Sequence, residues 1–219
     1  MILLGLDSAG SGASAALLRD GDIVAARAAA MARGQAEILM PMIAGVLAEA
    51  RLGADALDAI GVAVGPGSFT GLRIAIAAAR GLALARNIPA VGVSSFDVIA
   101  AAVPPGVPFL VALETRRDDF YLQMFDASRR ARGEARLADA EAGALLPRDV
   151  TRIAGDAAAR FIEATGRRDF ALVPGTEQAR AEHVARLAAS VLARGDTVMP
   201  PRPAYLRVPD ITQPRAAAR

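Results

Sequence analysis

One short pattern occurs twice in this chain, once at its start and once near its middle. An apolar run at residues 2–6 is followed at once by Asp7, and a matching run at residues 109–113 is followed by Glu114. A short polar turn and a second apolar segment follow each acid, which predicts a β-hairpin at the start of each half. A chain of 219 residues is long enough for two lobes of about 100 residues each. The repetition therefore predicts a duplicated, two-lobed α/β fold with βββαβα lobes.

The first half of the chain carries clear secondary-structure signals. Strands are predicted at residues 2–6, 13–18, from Ile23, 58–65 and 91–93, and helices at residues 35–51 and 70–86. Alternating strands and helices favour parallel strands joined by right-handed crossovers. Pro41 interrupts the apolar spacing of the first helix, so we expect a kink there or a helix that begins near Pro41.

A Pro- and Gly-rich stretch at residues 103–108 marks the predicted lobe boundary. We therefore predict an N-terminal lobe at residues 1–103 and a C-terminal lobe at residues 104–219, ending in a Pro-rich tail from about residue 199. Within the second lobe we predict strands at 109–114, 120–125 and 152–154, and helices at 157–165 and 182–194. The remaining path through residues 126–180 carries few signals.

Composition excludes several kinds of site. The chain has no Cys, a single His at position 183, and no Lys, so all 25 basic residues are Arg. Disulfides, a Cys nucleophile, a two-histidine metal site and a P-loop lysine are therefore all excluded. A net charge of +2 does not favour direct nucleic-acid binding. Without an apolar run of about 20 residues, we expect a cytoplasmic protein that does not bind membranes.

Two turns could hold a phosphate. The G-P-G-S-F-T-G string at residues 65–71 matches neither phosphate-binding glycine motif, which favours a tight turn with Ser68 or Thr70 capping the next helix. Asp7 with Ser8, Ser11 and Ser14 resembles the first phosphate hairpin of actin-like ATPases, but a structural role, in which Asp7 caps its own turn, is favoured. The candidate nucleotide or phosphate cleft comprises Asp7, Ser8, Ser11, Gly67, Ser68, Glu114 and Arg116.

The predicted helix at residues 70–86 is apolar on most of its surface, so it must be covered on more than one side. The helix at residues 35–51 also carries apolar residues outside its main stripe. An exposed apolar patch made by both helices would indicate a protein interface. Burial of both helices inside their own lobe is the other interpretation. The candidate interface residues are Met40, Ala44, Leu72, Arg73, Ile76, Ala78, Arg80 and Leu84.

Several motifs, in order along nearly the whole chain, resemble the TsaB (YeaZ) family. They are Asp7 in its hairpin, G-P-G-S-F-T-G-L-R at residues 65–73, G-L-A from Gly81, P-x-x-G-V-S-S from Pro89, R-R-x-x-x-Y from Arg116 and P-x-Y-L-R-x-P from Pro203. The resemblance implies an actin/Hsp70-like (ASKHA) fold. It also implies a role in making N6-threonylcarbamoyladenosine beside the anticodon of tRNA.

In that family the related subunit TsaD performs the transfer, TsaB pairs with it through N-terminal helices, and the ATPase TsaE joins them. The resemblance places two metal-binding histidines of TsaD at Ser95 and Ile99, so we expect neither a metal nor catalysis here. ATP would then be used by the assembled complex and tRNA would be bound indirectly. The alternatives are an ATPase or small-metabolite kinase using Asp7, Ser11 and Glu114, or direct tRNA binding through the arginines. A homodimer of the isolated chain stays open.

Overall fold

This computed structural model describes residues 1–31, 33–178, 180–195, 198 and 200–207. The first of its two sheets is formed by the start of the chain. Its strands and helices are β1 (Ile2–Asp7), β2 (Gly12–Arg19), β3 (Asp22–Ala30), α1 (Gln35–Glu49), β4 (Ala59–Gly65), α2 (Phe69–Arg86), β5 (Ala90–Ser94) and α3 (Ser95–Ala102). The strand order is β3-β2-β1-β4-β5. The first three strands are antiparallel, and β4 and β5 run parallel to β1.

The second sheet repeats this arrangement. Its elements are β6 (Phe109–Glu114), β7 (Phe120–Phe125), β8 (Ala131–Ala138), β9 (Arg152–Ala154), α4 (Ala158–Thr165), β10 (Ala171–Leu172) and α5 (Ala181–Ala193). The order β10-β9-β6-β7-β8 matches the first sheet read from the other edge. The predicted duplicated two-lobed fold is thereby confirmed. Strand β8 was not predicted, because this edge strand is mostly exposed and lacks apolar alternation.

Helix α5 crosses back to the first sheet. Val184, Ala185 and Ala188 are fully buried in the first lobe's core. Gly61 permits this approach, because an added Cβ there would lie only 2.7 Å from the Ala188 Cβ. The assignment of all residues after 103 to the second lobe therefore needs correction. The core of the first lobe is built from the first sheet with α1, α2 and α5, whereas Phe96, Ile99 and Ala100 of α3 pack with the second sheet. An apolar stripe does not specify which sheet it will cover.

Helix α1 differs from its predicted form. It begins at Gln35, directly after Gly34 in a left-handed conformation (φ 96°), and it contains Pro41 in its second turn. A start near Pro41 is therefore wrong. Burial of Leu39 and Ile43 against the sheet stabilises the turns on either side of the proline, which offsets the missing backbone hydrogen bond.

Helix α2 packs beside α1 and against β4. Its N-cap is Ser68, whose side chain accepts a hydrogen bond from the Gly71 N–H, as one of the two predicted capping residues. Within α2, Ala75 and Ala79 are fully buried, whereas Leu84 is 85% exposed. Within the described residues, none of the helices combines the length and the hydropathy that crossing a bilayer requires.

The predicted tail begins at residue 199 and includes Pro209, and both positions lie outside the described residues. Residues 200–207, called the C-terminal segment below, do belong to the structure. The Ala204 N–H donates to the Val64 carbonyl oxygen at the end of β4, at 2.7 Å. This contact places the C-terminal segment beside the turn that leads into α2.

Candidate functional site

A cavity of about 510 Å³ lies between the two lobes. It is lined by the turn before α2, the turn after β6 and the C-terminal segment: Gly67, Ser68, Phe69, Thr70, Glu114, Thr115, Arg116, Arg117, Tyr121, Tyr205 and Arg207. Four predicted cleft residues, Gly67, Ser68, Glu114 and Arg116, therefore meet here. Asp7, Ser8 and Ser11 are not among the lining residues. Sequence reasoning missed Tyr205 and Arg207 as cleft residues, because only folding brings the C-terminal segment to this place.

Asp7 is buried at the end of β1, with 3% of its surface exposed. Its Oδ1 accepts the Ala9 N–H at 3.2 Å, which is the turn-capping role considered as the structural alternative. Burial, together with the nearby Asp156 carboxyl, raises the pKa of Asp7 to about 7. Asp7 and Ser11 line a separate cavity of only about 10 Å³, which has room for at most about one water molecule.

Ser8 is also occupied by a structural contact. This residue is fully buried, and its Oγ donates to the Gly71 carbonyl oxygen at 2.7 Å. The turn after β1 is thereby tied to the first turn of α2. Ser8 is consequently engaged by the turn at residues 65–71, and Asp7 and Ser11 line a cavity separate from the rest of the cleft.

Glu114 ends β6 as Asp7 ends β1, but its environment differs. Its two carboxylate oxygens accept from Arg160 at 2.7 and 2.9 Å. Arg116 contributes only its backbone N–H, at 3.4 Å. The ion-pair partner of Glu114 is thus Arg160, a residue of α4. A carboxylate paired at both oxygens is poorly suited to hold a metal ion or to activate water.

A further acidic residue, Asp156, sits in the turn after β9, and the sequence analysis did not identify it. Its Oδ1 accepts the Glu114 N–H at 2.9 Å. Burial raises its pKa to about 6, and the nearby Glu114 charge acts in the same direction. Asp156 lines a cavity of about 20 Å³ together with Ser95 and Ile99, the two positions where the resemblance places TsaD's metal ligands. No group of three metal-binding side chains occurs within the described part of the chain.

The candidate interface residues divide into two groups. Met40 is 48% and Leu84 is 85% exposed, Ala78 is half-buried, and the other exposed members are Ala44, Arg73 and Arg80. Leu72 and Ile76 are only 1% and 4% exposed. These two form core contacts inside the first lobe, so their assignment to a partner interface is wrong. The apolar periodicity of α2 does not separate the side that faces the sheet from the side that faces solvent.

Comparisons with known proteins agree with one another. The family model for "TsaD: tRNA N6-adenosine threonylcarbamoyltransferase" matches residues 27–207. The chain is similar to the structure of YeaZ from Pseudomonas aeruginosa, with 31% identity, a TM-score of 0.81, and coverage of 94% of this chain and 99% of that one. An activator of 2-hydroxyisocaproyl-CoA dehydratase from Clostridium difficile, 12% identical with a TM-score of 0.55, shares the fold over 89% of this chain and 97% of its own.

Among curated proteins, the chain is 32% identical over 124 residues to the tRNA threonylcarbamoyladenosine biosynthesis protein TsaB of Haemophilus influenzae. That match covers 55% of this chain and 52% of the relative, so the chain spans about half the length of the curated relatives it matches. The family model extends well beyond this region, and the structural match to YeaZ covers both chains almost completely. The chain therefore belongs to the TsaB (YeaZ) family, within the group of proteins described by the TsaD model.

Proposed function

We propose that this protein is a non-catalytic partner subunit in the N6-threonylcarbamoylation of the tRNA adenosine next to the anticodon. It binds and supports a TsaD-type transferase subunit, with a TsaE-type ATPase in the larger complex. Support for the pathway comes from the TsaB relative, whose name states a role in threonylcarbamoyladenosine biosynthesis. In this proposal the complex works in the cytoplasm and holds tRNA mainly through its other subunits.

The observation that carries the docking proposal is the exposed surface of α1 and α2. Leu84 is 85% exposed and Met40 is 48% exposed, although both belong to helices whose other faces are buried in the core. Large apolar side chains on adjacent helices lose unfavourable contact with water when a second protein covers them. The same face could pair with a second copy of this chain when the transferase is absent.

The lack of catalysis is argued from the two acids that end β1 and β6. Asp7 is buried and accepts a hydrogen bond from Ala9, and Glu114 is paired at both oxygens with Arg160. An ATPase or small-metabolite kinase using Asp7 and Glu114 would need both carboxylates beside the bound phosphates. Their present contacts argue against that alternative. ATP is accordingly expected to be consumed by the assembled complex and not by this chain alone.

Binding to a purified TsaD-type transferase tests the proposal, measured by calorimetry or surface plasmon resonance. Leu84→Asp places a charge on the proposed interface and should weaken binding at least tenfold. A central apolar contact can contribute about 2 kcal/mol or more to the free energy of binding. The matched control is Leu145→Asp in the second lobe, where Leu145 is 78% exposed. It should bind like the unaltered chain.

Equal affinities for the two variants would show that the interface is elsewhere. Failure of the unaltered chain to bind any TsaD-type transferase would instead contradict the proposed function itself. Incubation of the isolated chain with Mg-ATP addresses the catalytic alternative. Steady ATP hydrolysis that disappears in an Asp7→Asn variant would favour the ATPase interpretation.

A further inference from the structure

The C-terminal segment, residues 200–207, lies along the edge of the first sheet over its first part. The buried Pro201 packs beside β5, where a Cβ added at Gly92 would lie 3.5 Å from the Pro201 Cβ. The Ala204 N–H donates to the Val64 carbonyl oxygen near the end of β4, at 2.7 Å. These contacts attach the segment to the first lobe through its backbone and through one apolar side chain.

The next residue, Tyr205, attaches the segment to the start of α2. Its ring stacks on Phe69, with centroids 5.6 Å apart and planes inclined by 28°. The Arg73 guanidinium lies 3.7 Å from the Phe69 centroid, and the Arg73 Nε donates to the Tyr205 hydroxyl at 3.2 Å. Stacking and cation–π contacts of this kind favour one relative orientation of the groups involved. Tyr205 is therefore the side-chain anchor of the segment on the first lobe.

The two following residues attach to the second lobe instead. Leu206 packs against the apolar cluster that includes Leu113 of β6 and Tyr121 of β7. Arg207 forms an ion pair with Asp119 in the turn before β7, and the two side chains are only 25% and 24% exposed. An ion pair with this degree of burial is screened less by salt than one on the open surface. The segment therefore passes from one lobe to the other directly after Tyr205.

The two lobes are packed together through α3 and are separated elsewhere by the interlobe cavity. Phe96 and Ile99 of α3 belong to the same buried cluster as Phe109 and Val111 of β6. The cavity of about 510 Å³ lies between the turn before α2 and the turn after β6, and the C-terminal segment forms part of its lining. The segment therefore bridges the two lobes at the place where a cavity separates them.

From these contacts we propose that the C-terminal segment is a clasp that sets the width of the cavity between the lobes. With Tyr205 held on α2 and Arg207 held by Asp119, the turns on the two sides of the cavity stay at a fixed separation. Loss of the hold on the second lobe lets the lobes rotate about their packed contact at α3, as a hinge motion. Because exposed Arg73 holds Tyr205, contacts made at the start of α2 reach the cavity through the clasp. This device does not depend on the proposed docking function.

Distance measurement by double electron–electron resonance tests the clasp in the full chain. The sequence contains no Cys, so two introduced cysteines carry spin labels at chosen positions only. Ala48 of α1 and Ala164 of α4 are exposed and belong to different lobes, so Ala48→Cys/Ala164→Cys is the background for every variant. In this background we expect one main distance. Arg207→Gln should raise the population of a second distance about tenfold, the factor expected from loss of one charge-assisted contact.

Three further variants locate the effect. Asp119→Asn should reproduce the shift seen in Arg207→Gln, and the double variant should shift no further than either single one, because the two residues act as a pair. Arg73→Gln should populate the same second distance to a smaller extent, since the backbone contact of Ala204 remains. The matched control is Arg167→Gln, which breaks an ion pair inside the second lobe and whose arginine is similarly buried at 21% exposed. It should leave the distances unchanged.

Each outcome decides for or against the clasp. A second distance in Arg207→Gln and Asp119→Asn, without a further increase in the double variant, supports it. Unchanged distances in Arg207→Gln, or an equal change in Arg167→Gln, overturn it. Unchanged distances in Arg73→Gln alone would contradict the link to α2. Circular dichroism of each variant verifies that it is folded. The transferase is absent from these measurements, so their result is separate from that of the docking experiment.

Discussion

The Glu114 carboxylate and the Arg160 guanidinium form a two-point ion pair, with distances of 2.7 and 2.9 Å. The same guanidinium lies 4.0 Å from the centre of the Phe120 ring and donates to the Asp119 carbonyl oxygen at 3.0 Å. One side chain of α4 therefore ties together the end of β6 and the turn that leads into β7. The acid that repeats Asp7 in the second lobe serves as an anchor for this turn.

Replacing Arg160 with Met should lower the free energy of unfolding by about 2 kcal/mol, because a half-buried carboxylate loses two charge-assisted hydrogen bonds. Urea unfolding followed by circular dichroism measures the change. The matched control is Arg132→Met, whose ion pair with Asp149 has the same 2.7 Å distance but more exposed partners. It should cost less than about 1 kcal/mol. Equal losses in the two variants would contradict an anchoring role for Arg160.

Two glycines of α2 should respond to alanine in opposite directions. An added Cβ at Gly71 would overlap the Ser8 carbonyl oxygen, whereas Gly81 has no atom within 4 Å of that position. Gly71→Ala should therefore destabilise the protein by about 3 kcal/mol or more, through overpacking. Gly81→Ala should stabilise it by about 0.5–1 kcal/mol, because alanine favours a helix interior over glycine. Thermal unfolding of both variants checks the sign of each change.

The raised pKa of Asp7 predicts a specific pH dependence. Burial raises this pKa from its ordinary 3.8 to about 7, so the folded state binds this proton more tightly than the unfolded state does. The contribution of Asp7 to the free energy of unfolding should therefore fall as pH rises from about 4 to about 7. The size of the pKa shift implies a total fall on the order of a few kcal/mol. Asp7→Asn should remove this part of the slope in a series of urea unfolding curves.

Asp169→Asn serves as the control for that series. Its hydrogen bond to Arg167 lowers the pKa of Asp169, so this carboxyl is already ionised above pH 5. The slope between pH 5 and 7 should not change in this variant. Asp156, whose pKa burial raises to about 6, adds its own slope in the same pH range, so only part of the slope should disappear. A slope in Asp7→Asn equal to that of the unaltered chain would mean that the proton is bound elsewhere.

The assembled modification complex should tolerate Asp7→Asn. If this chain only supports the transferase, the rate of tRNA threonylcarbamoylation should stay within about twofold of the unaltered complex at saturating subunit concentration. A catalytic acid or base would contribute roughly 10²–10⁴-fold. A loss of that size, with complex formation intact, would favour the catalytic alternative. Quantifying the modified nucleoside after tRNA digestion measures the rate.

Periodicity and turn chemistry were enough to predict most elements of the first lobe. The apolar run before Asp7, the Asp-Gly turn after β2 and the Ser68 cap act between residues close in the chain, so their consequences can be deduced without knowing the fold. The duplication followed from the recurrence of one such pattern. Edge strand β8 gave no comparable signal, because few of its residues are buried.

The cleft depended on contacts between residues far apart in the chain. Arg160 and Glu114 are 46 positions apart, and Tyr205 and Arg73 are 132 apart. Local patterns carry no information about such pairs. Burial of Leu72 and Ile76 likewise depends on which side of α2 faces the sheet.

The sequence by itself thus determined the repeated hairpins, the capped apolar helix and the absence of cysteine and lysine chemistry. Only the tertiary structure decided that Asp7 is buried at the end of β1, that α5 packs on the first sheet, and that the C-terminal segment lines the cleft. The physical reason is that hydrogen bonds, ion pairs and burial depend on distances in space, which the chain order constrains only for near neighbours.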